Sequence, residues 1–174
     1  PGARAAVAAS STGRIGVLGT AGTIASGAYQ RAVAQRSTRA EVTAVAAALL
    51  VPLAEEGWTE GEVPRLAARR YLEPLARAAV DTLVLGCTHY PLLKPLLHDV
   101  MGPGVRLIDS AEETAAETGR ELASRGLRAT PRPESPGLAP AHRFIASDAP
   151  EHFARLAGRF LGAPLEHVET VTLG

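Results

Sequence analysis

Short apolar runs alternate along this chain with longer segments whose apolar residues return every three or four positions. Residues 15–18 form one such run, closed by Gly19, and 82–85 and 105–108 form two more, the last preceded by Gly102-Pro103-Gly104. Runs of this length bounded by turn residues are predicted to be buried strands. Helical spacing is predicted over 24–34, 92–101 and 112–124, the last stopped by Gly126. Over 62–79 the pattern predicts an amphipathic helix, with Val63, Leu66, Tyr71, Leu72, Leu75 and Ala79 on or near one face and Arg65, Arg69, Arg70 and Arg77 elsewhere. The Ala-rich run 42–55 is predicted as helix, split at Pro52, which removes a donor from a helical ladder. Residues 1–13 are small and polar-rich without a period and read as a linker.

Residues 130–140 hold four prolines and a glycine, so neither helix nor central strand continues through them, and a long loop is predicted. A strand over 144–146, a helix over 150–161 and a terminal strand over 168–173 follow. Strands alternating with helices predict the α/β class, with a doubly wound parallel sheet. No internal repeat is evident.

Composition narrows the function. Of 174 residues, 46% are apolar and 21% charged, the profile of a soluble globular chain. The 18 basic and 18 acidic side chains balance, whereas nucleic-acid binding normally leaves a basic excess. One cysteine excludes an internal disulfide and suits a reducing, cytoplasmic setting. No apolar stretch reaches bilayer length, and the start lacks a basic-then-apolar signal, so no membrane partner is expected. The histidines at 98, 142, 152 and 167 lack metal-ligand spacing, so no metal is expected.

That single cysteine, Cys87, ends an apolar strand in the run VLGCTHYP (residues 84–91). The end of a parallel strand opens into the crevice where α/β proteins place their chemistry. A helix start supplies free N–H groups and a positive dipole end, which favour thiolate over a thiol of ordinary pKa about 8.5. Pro91 suits that first turn. The alternative is a buried, inert cysteine. His89 is suited to stabilise a thiolate, or merely to sit at a helix start. Thr88 offers a hydroxyl and N–H for a carboxylate, or an N-cap. Thr20 and Thr23 flank a strand-to-helix turn that can cradle a carboxylate or simply cap the helix; it is not a nucleotide phosphate loop. Asp109 and Ser110 either face the same crevice or form a turn, and Tyr90 is either core or lid.

The string Gly-Cys-Thr-His-Tyr-Pro closely resembles the second active-site motif of glutamate racemases, in the aspartate/glutamate racemase superfamily. VLGTAGTIASGAY (17–29), VPLAEEGW (51–58), RLIDSAEETA (106–115) and RFIASDAPEHFARLAGRFLG (143–162) resemble further segments of that family in the same order. The family's Asp-Ser-Gly-x-Gly-Gly loop and its first catalytic cysteine, in Ala-Cys-Asn-Thr-Ala, do not occur here. The resemblance therefore implies a C-terminal portion: residues 1–108 as the racemase's second domain, and 109–174 returning to complete a mostly absent first domain.

The resemblance implies cofactor-independent interconversion of L- and D-glutamate by two cysteines, with D-glutamate supplied for peptidoglycan. Cys87 resembles the cysteine that deprotonates L-glutamate, His89 its assisting histidine, and Glu55 the glutamate near them, with Glu56 one position away. Thr88, His89, Thr20 and Thr23 match substrate-binding positions. Glutamate is then the small-molecule partner, no cofactor is needed, and a homodimer is one candidate assembly. An aspartate or hydantoin racemase of the same superfamily is the first alternative. An inactive piece that only binds substrate or a partner is the second. With one cysteine, the chain alone is not expected to racemise, and its exposed sheet edges should promote association.

Overall fold

The protein is seen in a computed structural model that describes residues 1–129 and 142–172. The chain divides into two units, Pro1–Gly126 and Leu127–Gly174. In the first, β1 (Arg14–Gly19) lies between β2 (Glu41–Ala46) and β3 (Thr82–Gly86), and β4 (Arg106–Asp109) lies beyond β3. All three pairings are parallel. Parallel neighbours require crossovers, and helices supply them. α2 (Ala21–Ala25) and α3 (Ala28–Ala34) lead to β2, and α4 (Leu50–Glu56) and α5 (Glu62–Arg77) lead to β3. A 3₁₀ turn (Tyr90–Leu93) and α6 (Lys94–Met101) lead to β4.

Successive strand residues point to opposite faces, so each strand feeds two cores. Leu18, Leu83 and Leu85 pack with Leu50, Leu72, Leu75 and Leu97 on one face. Ile15, Val17, Val84 and Ile108 pack with Ala3, Ala6 and Val33 on the other. This is the expected doubly wound sheet. Its order, β2-β1-β3-β4, reverses direction between β1 and β3. Loops leaving the C-terminal ends of those two strands part company there, the place where open α/β sheets set their ligand crevice.

Four elements differ from the sequence reading. The helix expected over 24–34 is two, α2 and α3, parted by Gly27, whose positive φ of 61° breaks the helical ladder. Residues 1–13 are not a linker, because α1 (Gly2–Ala9) is a helix with Gly2, Ala3 and Ala6 buried. Its small residues reflect close approach to the sheet: a Cβ on Gly2 would already touch Val84 Cγ1 at 3.7 Å. The run 42–55 is not one helix split at Pro52. Its first part is β2, paired from Arg14↔Glu41 to Gly19↔Ala46, where β-branched Val42, Thr43 and Val45 suit a pleated surface. Pro52 instead sits in the first turn of α4, where its missing donor breaks no bond. On α5 the buried stripe is Pro64, Ala68, Leu72 and Leu75, while Val63 and Leu66 are 54% and 64% exposed. Small Ala68 and Pro64 permit close helix packing, so the inward face is rotated from the one that size alone suggests.

The first unit also runs past the expected boundary at 108. α7 (Ser110–Ser124), capped by Asp109, packs against α1, β3 and β4. In the second unit, β5 (Ile145–Ala146) and β6 (Glu169–Thr170) pair in parallel, and α8 (Pro150–Leu161) follows β5. Both strands are shorter than predicted, and Arg143 grips Glu169 across them at 2.9 and 2.6 Å. The predicted loop over 130–140 lies outside the described residues. Among the described residues no helix is long and apolar enough to cross a membrane.

Candidate functional site

Gly19 and Gly86 are register partners at the C-terminal ends of β1 and β3. Thr20 and Cys87 are the next residues on each strand, so the topology sets the threonine turn beside the thiol, with strands about 4.8 Å apart. The site of Gly86 leaves little room for a side chain. An added Cβ would lie 3.0 Å from the Tyr29 ring and 3.2 Å from the Leu18 carbonyl oxygen.

Cys87 is partly exposed rather than a buried core cysteine. Its Sγ lies 3.9 Å from His89 Nδ1. On the far side of the ring, His89 Nε2 lies 3.0 Å from Glu55 Oε1, with the two side chains 22% and 33% exposed. Thiol, imidazole and carboxylate therefore stand in a row, supplied by the loop after β3 and the end of α4. A carboxylate on one ring nitrogen fixes the ring's orientation and leaves the other facing the sulfur, able to take up or return its proton. Of the adjacent glutamates, Glu55 faces the histidine and Glu56 is exposed.

Thr88 Oγ1 is exposed and lies 3.5 Å from His89 Nδ1. Thr20 caps α2 by accepting a bond from the Thr23 N–H at 3.3 Å, and the two hydroxyls are 3.0 Å apart. The capping reading is thus realised, and both hydroxyls remain at the crevice, part-buried. Asp109 caps α7 through the N–H groups of Ala111 and Glu112 and meets Lys94 at 4.0 Å, and Ser110 donates to the Leu85 carbonyl. These two residues form a turn at the strand end.

Tyr90 resolves as core. Its ring is fully buried, and its hydroxyl donates to the carbonyls of Gly19 and Ala47. Sequence reasoning left its role open. The available signal was an amphipathic tyrosine placed where a buried ring must find a hydrogen-bond partner.

A family profile described as Asp/Glu/Hydantoin racemase matches residues 1–118. A glutamate racemase of Geobacter metallireducens is 49% identical over 173 residues, covering 99% of this chain and 62% of that protein. One from Mycolicibacterium paratuberculosis is 52% identical over 173 residues, covering 98% of this chain and 62% of its own. Among solved structures, a glutamate racemase isoform of Bacillus anthracis aligns with a TM-score of 0.88 at 37% identity, over 99% of this chain and 62% of that one. The Francisella tularensis glutamate racemase, solved with D-glutamate, aligns with a TM-score of 0.84 at 29% identity, over 98% of this chain and 62% of that one. This chain thus spans 62% of the length of these curated relatives.

Proposed function

Because the chain belongs to the Asp/Glu/hydantoin racemase family, we propose that it carries one of the two acid/base faces of a cofactor-independent glutamate racemase. The observation that carries this reading is the Cys87–His89–Glu55 row at the crevice between β1 and β3. Racemisation removes a weakly acidic Cα proton from one face and returns one to the other, which calls for two opposed bases. Cys87 serves as the base that takes the proton from L-glutamate. His89, held by Glu55, exchanges that proton with the sulfur, so the thiolate is regenerated after each turnover. Thr88 and the Thr20–Thr23 turn bind substrate carboxylate and amino groups and hold Cα against the sulfur. The opposing base is a thiol outside these 174 residues, since Cys87 is the sole cysteine here.

The full-length enzyme then works in the cytoplasm and supplies D-glutamate for peptidoglycan. The second unit, Leu127–Gly174, contributes to the domain that carries the opposing base. Substrate choice follows the relatives, which are named glutamate racemases.

Replacing Cys87 with serine in the full-length enzyme should lower racemisation of L-glutamate by at least about a hundredfold, the usual worth of a positioned base. Circular dichroism of the substrate solution follows the conversion, with L-aspartate run alongside. Unchanged glutamate turnover would remove the assignment, and faster turnover of aspartate would reassign the substrate.

A further inference from the structure

We propose that Tyr90 is a positioning residue, whose phenol ties the loops after β1, β2 and β3 into one mount for the Cys87–His89–Glu55 row. The inference rests on the racemase reading and deepens it. The hydroxyl lies 3.0 Å from the Gly19 carbonyl oxygen and 2.9 Å from that of Ala47. Gly19 immediately precedes Thr20. Ala47 lies in the short connection from β2 to α4, the helix that ends beside Glu55. Tyr90 itself adjoins His89, and its own N–H donates to the Cys87 carbonyl at 3.3 Å, closing the turn that carries the thiol. The Tyr90 side chain therefore reaches the end of β1 and the connection that leads to α4, while its backbone closes the turn after β3.

Neither carbonyl depends on the phenol for a partner. Gly19 also accepts from the Ala47 N–H at 2.8 Å, and Ala47 from the Leu50 N–H at 3.1 Å. Phenylalanine at 90 would fill the same space and orphan no backbone group. The Ala47 N–H already joins the β1 and β2 connections, so what the hydroxyl adds is a tie from the thiol turn to that pair. Such ties matter where a misplacement of about 1 Å can cost about a hundredfold in rate. Burial, assisted by Cys87 and Tyr71, pushes the phenol above its ordinary range, so it remains a donor throughout the working pH range.

The test compares Tyr90→Phe, Glu55→Gln and the double variant in the full-length enzyme, with Cys87→Ser as control. Tyr90→Phe should melt cooperatively, lose about tenfold or more in kcat and hold KM within about twofold, the pattern of displaced catalytic groups. Adding Glu55→Gln to it should cost much less than Glu55→Gln alone, because both act on one array. Wild-type kcat in folded Tyr90→Phe, or penalties that simply multiply, would overturn the proposal. A readout without turnover uses the imidazole NMR signals of His89 in the 174-residue chain. They should move in Tyr90→Phe as they do in Glu55→Gln, and unchanged signals would count equally against it. A fully active Cys87→Ser variant would remove the racemase reading and this inference with it. An inactive Cys87→Ser beside a wild-type-like Tyr90→Phe removes only the inference.

Discussion

At position 81 a single carboxylate organises the turn that delivers α1 into β1. Asp81 accepts bonds from Ser10 Oγ at 2.6 Å, Ser11 N at 2.8 Å, Ser11 Oγ at 3.0 Å and Thr12 N at 2.7 Å. Partial burial works to raise its pKa, but the bonds from Ser10, Thr12 and Ser11 outweigh that and hold it well below the usual carboxylate range. A group with a depressed native pKa stabilises the fold fully above its unfolded value, near 3.9, and loses that contribution as pH falls through the lower native value. Replacing Asp81 with asparagine should therefore cost about 1 to 2 kcal/mol near neutrality, discounted for solvent exposure. Thermal melts of both proteins should converge as pH drops below about 4; a constant gap down to acid would contradict the linkage. Residues of this kind were illegible in sequence, because Ser10-Ser11-Thr12 and Asp81 are seventy positions apart and only the sheet joins them. The catalytic candidates were legible for the opposite reason: Cys87 and His89 share one short string, and the fold had only to bring Glu55 to it.

Among the elements, β3 sets the site, since it ends at Gly86 and hands the chain to Cys87. Replacing Gly86 with alanine forces a methyl against the Tyr29 ring and a backbone carbonyl. Overpacking of this sort should destabilise by about 1 to 3 kcal/mol and displace the thiol turn, so both the melting midpoint and the folded-state turnover should fall. A Gly86→Ala protein as stable and active as wild type would show that the close approach is dispensable. β1, β3, β4 and the helix at 94–101 were readable because large aliphatic residues mark their buried positions. By contrast, 62–77 and 110–124 were readable as helices but not by face: Val63 and Leu66 are exposed on the first, and the second buries no residue. α1 and β2 were not. Alanine suits either a helix or a half-buried strand, so the period of 1–13 and 42–46 carries little information. What decides them is tertiary: α1 lies close on the sheet because its residues are small, and β2 is a strand because β1 offers it a parallel edge.

For the whole molecule, two features bear on how the 174 residues behave. β2 and β4 are the edges of the four-stranded sheet. In the second unit, Phe153, Phe160 and Leu161 are 38%, 44% and 57% exposed along α8. Open edges and exposed aromatic surface favour association. The isolated chain should elute with concentration-dependent mass by light scattering and show no racemase activity; a monomer with measurable turnover would contradict both expectations. The central claim is narrower: the Cys87 sulfur takes the Cα hydrogen of L-glutamate. The most direct measurement is exchange of that hydrogen in deuterated water, by mass spectrometry, for the full-length enzyme with and without Cys87→Ser. The account predicts that L-glutamate loses its Cα hydrogen with the native enzyme, that deuterium appears at Cα of the D-glutamate formed, and that the substitution slows this by at least about a hundredfold. Exchange at the native rate in the serine variant would contradict it.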